Sequence, residues 1–302
     1  VIRLIGVSAR AAPYSLSNLS LEFGAGARSV LGKPSDGAAL LLAVLAGWVR
    51  PRLGTALVLG ASPESVRQKI AYVPLDARLP PSLRVTEALE IAASVRGEDS
   101  ANSPGQRLAL LGVASLEGRR TDSLTLPESR AVALVEALTS AAQVLLLEEP
   151  LVDLDPRACA SLPSALRDRA KSGASIVIAT SSPRDARDLS EEQWILERGR
   201  LVATTRSSDT SALSATPKSR LRVLARGARP GSRALLGALA SEPHIADIEM
   251  DGEALLLGGS DPAAMAESVS RAALAAGIEL EVMRFEAPTL DELRAAARRN
   301  GS

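Results

Sequence analysis

The residues from Val144 to Pro156, VLLLEEPLVDLDP, constrain the fold of this chain more than any other stretch. Val144 to Leu147 form an unbroken apolar run, the pattern of a strand buried on both faces, as in a parallel sheet. Glu148 and Glu149 follow at its C-terminal end, where open α/β sheets place their ligands. Pro150 stops the ladder, and Leu154-Asp155-Pro156 opens a second turn before a helical pattern. Paired carboxylates in that place suit a magnesium–nucleotide site, one holding the metal shell and the next activating water. A buried strand capped by ordinary solvated acids is the lesser alternative for this stretch, and the neighbouring segments decide.

Composition narrows the classes. The 302 residues allow two domains, each able to bury a core. Lys+Arg and Asp+Glu are equal at 35 each, and aromatics are only 2%. Neither a basic field nor stacking platforms therefore argue for a nucleic-acid partner. The one cysteine, Cys159, cannot form an internal disulfide and fits a reducing compartment. The one histidine, His244, rules out a multi-histidine metal site. No apolar run approaches the roughly 18 residues needed to span a bilayer, so a soluble chain is expected, reaching a membrane only through a partner.

Short strand-like runs fill residues 1 to 31: Val1 to Leu4, Leu19 to Phe23 and Ser29 to Leu31, with Gly24 and Gly26 punctuating the last two as hairpin turns do. Gly32-Lys33-Pro34-Ser35-Asp36-Gly37-Ala38-Ala39 follows, then an apolar helix former from Leu40 to Ala46. Strand, small-residue loop, helix is the setting of a phosphate-cradling loop, whose pattern is G-x-x-x-x-G-K-[ST]. Gly32 and Gly37 have that spacing. The lysine position is Ala38 and the hydroxyl position is Ala39.

Taken in order, residues 1 to about 205 resemble the nucleotide-binding subunit of an ABC transporter. Leu45-Ala46-Gly47 with Arg50-Pro51 and Gly54 follows the loop, and Ile70 to Asp76 resembles the Q-loop. Leu83 to Leu89 resembles the helix start after it, and Leu124-Thr125-Leu126-Pro127-Glu128 stands where the LSGGQ signature belongs. Val144 to Glu149 resembles the Walker B strand and the acid after it. Leu154-Asp155-Pro156 resembles the D-loop, Ile176 to Ser182 the switch segment, and Ile195 to Val202 the closing hairpin. The resemblance implies an α/β fold: a P-loop NTPase-like mixed sheet with a helical subdomain at about 77–135. It also implies ATP and Mg2+ as ligands, with no metal position assigned in this chain.

The departures matter as much. Where the family carries lysine, serine or threonine, Q-loop glutamine and switch histidine, this chain has Ala38, Ala39, Leu75 and Ser181. Glu148 replaces the Walker B aspartate, and Thr125-Leu126-Pro127-Glu128 replaces the signature's serine, two glycines and glutamine. No aromatic stands near Arg10-Ala11 to stack on adenine, and Tyr14 is displaced. Glu149, the family's water-polarising position, and Asp155, a dimer contact with the signature residues, are kept. Two methyl groups leave backbone donors alone to face a triphosphate, and Asp36 is expected to point a further negative charge into the loop. Leu126 adds bulk and Pro127 removes an amide donor where a partner's phosphate would approach. Thr125 keeps a hydroxyl for a weakened contact. A pseudo-ATPase site is expected.

Leu79-Pro80-Pro81 suits a permease-docking groove in the region 77–122, and Gly118-Arg119-Arg120 reads as a solvated turn. A Ser/Thr-rich linker is expected at 206–218. Residues 219–302 read strand, helix, two strands, helix, strand, with a last helix from Leu290 to Arg298, a small ferredoxin-like α+β domain. Thr289 and Glu292 form a capping box, and APTLDEL at 287–293 resembles the accessory domain of ABC-2 type exporter ATPases. His244 is expected to be structural. The expected function is a degenerate ATP-binding subunit for export, peripheral on the cytoplasmic face of the membrane. Its expected partners are a permease and a second ATPase subunit, different from itself rather than a copy. Two alternatives stand beside it: an active ATPase in which Glu148 and Glu149 hold the metal and Lys33 swings in, and a soluble regulatory or scaffold protein derived from the fold.

Overall fold

Alternate residues of the strand β6 (Val144–Glu148) face two different cores. Leu145 and Leu147 pack with Ile176, Ile178, Leu134 and Leu162, while Val144 and Leu146 pack with Val177, Leu41, Leu42 and Leu4. All four are fully buried, each gaining about 1.5–3 kcal/mol from transfer out of water. That is why the run is apolar at every position rather than every second one.

In the computed structural model, residues 2–98, 102–206, 219–226, 229–259, 261–286 and 289–294 are described. Positions 207–218 of the expected linker, Ala287 and Pro288, and 295–298 of the expected last helix lie outside them. The chain divides into two units, Val1–Ser208 and Asp209–Ser302.

The first unit holds a six-stranded sheet of order β5-β6-β7-β3-β8-β9, made of β5 (Ile70–Val73), β6, β7 (Ser175–Thr180), β3 (Gly26–Leu31), β8 (Glu192–Glu197) and β9 (Arg200–Arg206). The first five pair in parallel and β9 runs antiparallel to β8. A second, antiparallel sheet of order β2-β1-β4 joins β1 (Ile2–Ala11), β2 (Tyr14–Phe23) and β4 (Leu53–Val58). The helix α1 (Ala38–Leu45) packs against strands of both sheets. Helices α2 (Val85–Arg96), α3 (Pro104–Ala109), α4 (Leu126–Thr139) and α5 (Pro156–Lys171) contribute to the other core. The helix α6 (Pro183–Leu189) follows β7.

The N-terminal strands differ from their sequence reading. β1 and β2 are long and pair with each other, turning at Ala12-Pro13. Gly24 and Gly26 make no hairpin, because β2 and β3 belong to different sheets. Ser29, Val30 and Leu31 are buried and take parallel partners on both sides. The Gly26 amide instead donates to the Ala174 carbonyl at 2.9 Å. The β8–β9 hairpin turns on Arg198 and Gly199, both left-handed (φ 47° and 77°), as a two-residue turn between twisted strands demands. A Cβ on Gly199 would lie 2.1 Å from the Ser15 carbonyl oxygen, so only glycine lets β2 approach there.

The second unit contains β10 (Ser219–Ala225), α7 (Arg229–Leu239), β11 (Asp247–Asp251), β12 (Ala254–Gly259), α8 (Pro262–Ala276) and β13 (Leu280–Glu286). Its antiparallel order β11-β12-β10-β13 is the ferredoxin-like arrangement. Leu221, Val223, Leu255 and Leu257 bury one face against Leu235, Leu239, Met265 and Val269. Thr289 and Glu292 exchange bonds, Thr289 N–H to Glu292 Oε2 at 2.8 Å and Glu292 N–H to Thr289 Oγ1 at 3.3 Å. Among the described residues no helix is long and apolar enough to cross a membrane.

Candidate functional site

The order β6-β7-β3 sets three strand ends side by side. The Gly32 amide donates to the Thr180 carbonyl at 3.0 Å, and the Glu149 amide to the Ala179 carbonyl at 2.8 Å. The loop after β3, the acids after β6 and the switch segment after β7 thus meet in one place at the carboxyl ends of parallel strands.

The loop itself is short and tight. Pro34 to Asp36 form a single 3-10 turn, and Gly37 (φ 89°) reverses the backbone into α1. Ser35 and Lys33 are exposed, Ala38 is buried and Ala39 half-buried. Asp36 corrects the sequence expectation. Its carboxylate is buried, accepting from the Lys33 amide at 2.7 Å and the Arg198 amide at 2.9 Å. Both donors are backbone groups, one of the loop and one of the β8–β9 turn. The side chain therefore staples the loop to the hairpin instead of projecting into it. Tyr14, expected to be displaced, opens β2 and packs against the core.

The two carboxylates after β6 do not act as a pair. Glu148 accepts at Oε1 from the Tyr72 hydroxyl and at Oε2 from the Leu75 amide at 3.1 Å. Burial, reinforced by Glu148, pushes the Tyr72 hydroxyl well above its usual range. Glu149 accepts from the Thr180 hydroxyl at 2.8 Å (Oε2) and the Ser181 amide at 2.7 Å (Oε1). One acid turns to the Q-loop position and the other to the switch position. The Leu75 side chain is exposed while its amide is held, and Ser181 contributes backbone, not hydroxyl, to Glu149. Asp185 on α6 has its carboxyl held above the usual range by burial, with Glu149 adding to the effect.

Arg130 was passed over by sequence reasoning and is the most informative residue of the region. Its side chain on α4 is wholly buried. Nη2 donates to the carbonyls of Glu148 (3.1 Å) and Glu149 (2.7 Å), and Nη1 to that of Val152 (3.0 Å). Burial lowers its pKa, and Asp153, Glu149 and Glu148 oppose that shift. The turn it grips contains two non-glycine residues in the left-handed region, Glu149 (φ 42°) and Asp153 (φ 60°). Such conformations persist only where the surroundings over-determine them. A lone arginine inside the apolar periodicity of SRAVALVEAL was the signal that sequence offered.

The signature position also folds differently from its expected use. Thr125 caps α4, its Oγ1 accepting from the Glu128 amide at 3.4 Å and donating to Glu128 Oε2 at 3.0 Å, while the Thr125 amide donates to Oε2 at 2.8 Å. Pro127 sits in the first turn, where its missing N–H costs nothing. Thr125-Leu126-Pro127-Glu128 is thus a capping box, the same T-x-x-E pattern as at Thr289–Glu292. The hydroxyl expected to face a partner is engaged within its own helix. Arg119 pairs with Glu128 at 2.6 Å and Arg120 with Asp122 at 2.8 Å. Asp155 caps α5, accepting from the Arg157 and Ala158 amides at 2.8 and 3.0 Å. Leu79 of the expected docking groove is partly buried against the core.

Residues 16–152 match the family model described as ABC transporter. Over these residues the first unit is similar in sequence to ABC transporter ATP-binding proteins, and it has their mixed α/β fold. The molybdenum import ATP-binding protein ModC of Brucella melitensis biotype 1 is 31% identical over 196 residues, 61% of this chain and 54% of its own. The Nod factor export ATP-binding protein I of Rhizobium etli is 28% identical over 187 residues, 60% of this chain and 59% of its own. The chain spans about half the length of the first curated relatives it matches. A solved structure titled as an ATP binding subunit of an ABC transporter shares the fold, with a TM-score of 0.61 at 22% identity over 70% of this chain and 92% of its own.

Domains of this kind bind ATP and Mg2+, so the fit of this chain's residues to that pair is a fair test. A triphosphate asks for a cation at position 38 and a metal-binding oxygen at 39, and both residues are alanine. The oxygens of Glu148 and Glu149 accept internal donors. Among the described residues no group of three His, Cys, Asp or Glu is placed to hold a metal ion. These side chains do not fit a magnesium–nucleotide complex.

Proposed function

We propose that this chain is a degenerate ATP-binding subunit of an ABC transporter, one that works beside a competent and different ATPase subunit under a membrane permease. The observation that carries the reading is Ala38 and Ala39 at the start of α1. A single preorganised donor is worth roughly 3–4 kcal/mol of transition-state stabilisation, and here a lysine and a hydroxyl are missing together. Glu149, Asp36 and Glu148 add no cation. The subunit is then peripheral on the cytoplasmic face of the membrane, and its share of the work is mechanical. Its partner relations follow from the family to which residues 16–152 are similar. The export direction rests on the second unit, through its ferredoxin-like order and the resemblance of APTLDEL to exporter ATPases. Matched relatives include proteins named for import and for export.

Titration of the purified chain with a fluorescent ATP analogue in magnesium tests the reading. Negligible binding is expected, and micromolar affinity would overturn it in favour of an active ATPase with altered chemistry. The double variant Ala38→Lys/Ala39→Ser should recover measurable affinity. Co-purification from detergent with a permease and a second ATPase is expected. A monodisperse chain without a membrane partner would favour a soluble scaffold.

A further inference from the structure

We infer that Asp36, Glu148 and Glu149 hold the site in one shape without any nucleotide, so that the unit presents a fixed conformation to its partners whether or not ATP is present. The inference deepens the proposed function and rests on its view of the site as non-catalytic.

Each of the three carboxylates bridges its own segment to another. Asp36 joins the loop after β3 to the β8–β9 turn through the Lys33 and Arg198 amides. Glu148 joins the end of β6 to β5 through the Tyr72 hydroxyl and to the segment after β5 through the Leu75 amide. Glu149 joins the same turn to the end of β7 through the Thr180 hydroxyl and the Ser181 amide. The four amides belong to the loop, the Q-loop position, the switch position and the closing hairpin. A bound metal nucleotide would otherwise be the group drawing such segments together. Here an internal carboxylate serves each one, and bonds to an ionised acceptor are about twice as strong as neutral ones. Arg130 completes the arrangement from beneath by fixing the backbone of Glu148 and Glu149. An internal acceptor is always present at its full local concentration, so the shape it holds does not depend on the supply of ligand.

Amide hydrogen exchange on the full chain, with and without millimolar Mg2+-ATP, tests this. Peptides reporting Lys33, Leu75, Ser181 and Arg198 should be protected in the absence of nucleotide and unchanged by its addition. In Asp36→Asn the Lys33 and Arg198 amides should exchange roughly tenfold faster, and in Glu149→Gln the Ser181 amide should do the same. The wild-type comparison needs no variant to fold. Amides as fast as those of exposed loops, or slowed only by Mg2+-ATP, would overturn the inference. The outcomes separate from those of the proposed function. Tight ATP binding to a chain whose amides are already protected would sink the pseudo-ATPase reading and leave the inference standing. Absent binding with unprotected amides would do the reverse.

Discussion

The loop after β3 and the turn after β6 stand differently to a nucleotide. In the loop the side chains that would meet phosphate and metal are methyl groups, and the one acid faces its own backbone. In the turn the acids remain, yet their oxygens are engaged by neighbouring segments. One end differs by what the residues are, the other by what they touch. Only the first kind of difference can be read from a sequence.

If the turn after β6 is chiefly a structural joint, its joints should be expensive to cut. Arg130→Met removes a wholly buried guanidinium that serves three backbone carbonyls, and denaturant unfolding should show a loss of about 3–5 kcal/mol. A loss under about 1 kcal/mol would break the comparison outright. Tyr72→Phe, which removes the hydroxyl bound to Glu148, should cost about 1–2 kcal/mol at neutral pH. The folded-state pKa of Tyr72 is raised, so its contribution is complete below the unfolded value of about 10 and is lost as pH rises beyond it. The gap between wild type and variant should therefore narrow in alkaline unfolding experiments.

Thr125→Ala sharpens the contrast at the signature position. Loss of the cap should cost about 1 kcal/mol, and a double-mutant cycle with Glu128→Ala should show strong coupling. A purely partner-facing threonine would leave the isolated chain unaffected. The smallest effect is expected at Asp185. Its pKa is raised by burial, so the ionised carboxylate weakens the fold at neutral pH and protonation relieves it as pH falls. Asp185→Asn should gain about 0.5 kcal/mol at pH 7, shrinking to nothing at acid pH in matched melting curves.

Much of the frame was legible. Val144–Leu147 announced a buried parallel strand because every position is apolar, while the switch segment at Ile176–Ser182 and the hairpin at Ile195–Val202 were placed by resemblance. The alanines at 38 and 39 were legible because absence of a side chain is a fact of sequence. The partners of the acids were not. Tyr72 lies 76 positions from Glu148, joined by a register that pairs it with Leu146, and Arg198 lies 162 from Asp36. Arg130 was hidden for another reason: its acceptors are backbone carbonyls, which every residue owns. The hairpin misread at Gly24 and Gly26 shows that glycine marks a change of direction without saying which sheet the chain enters next.

The alternation of β6 between two cores has a consequence for how this unit tolerates change. Leu145 and Leu146 are sequence neighbours that belong to different cores. The strand is maintained from both sides by packing that makes no reference to the chemistry at its end. Substitutions confined to the side chains beyond Leu147 therefore weaken the joints those side chains make without removing the packing that holds the strand in the sheet.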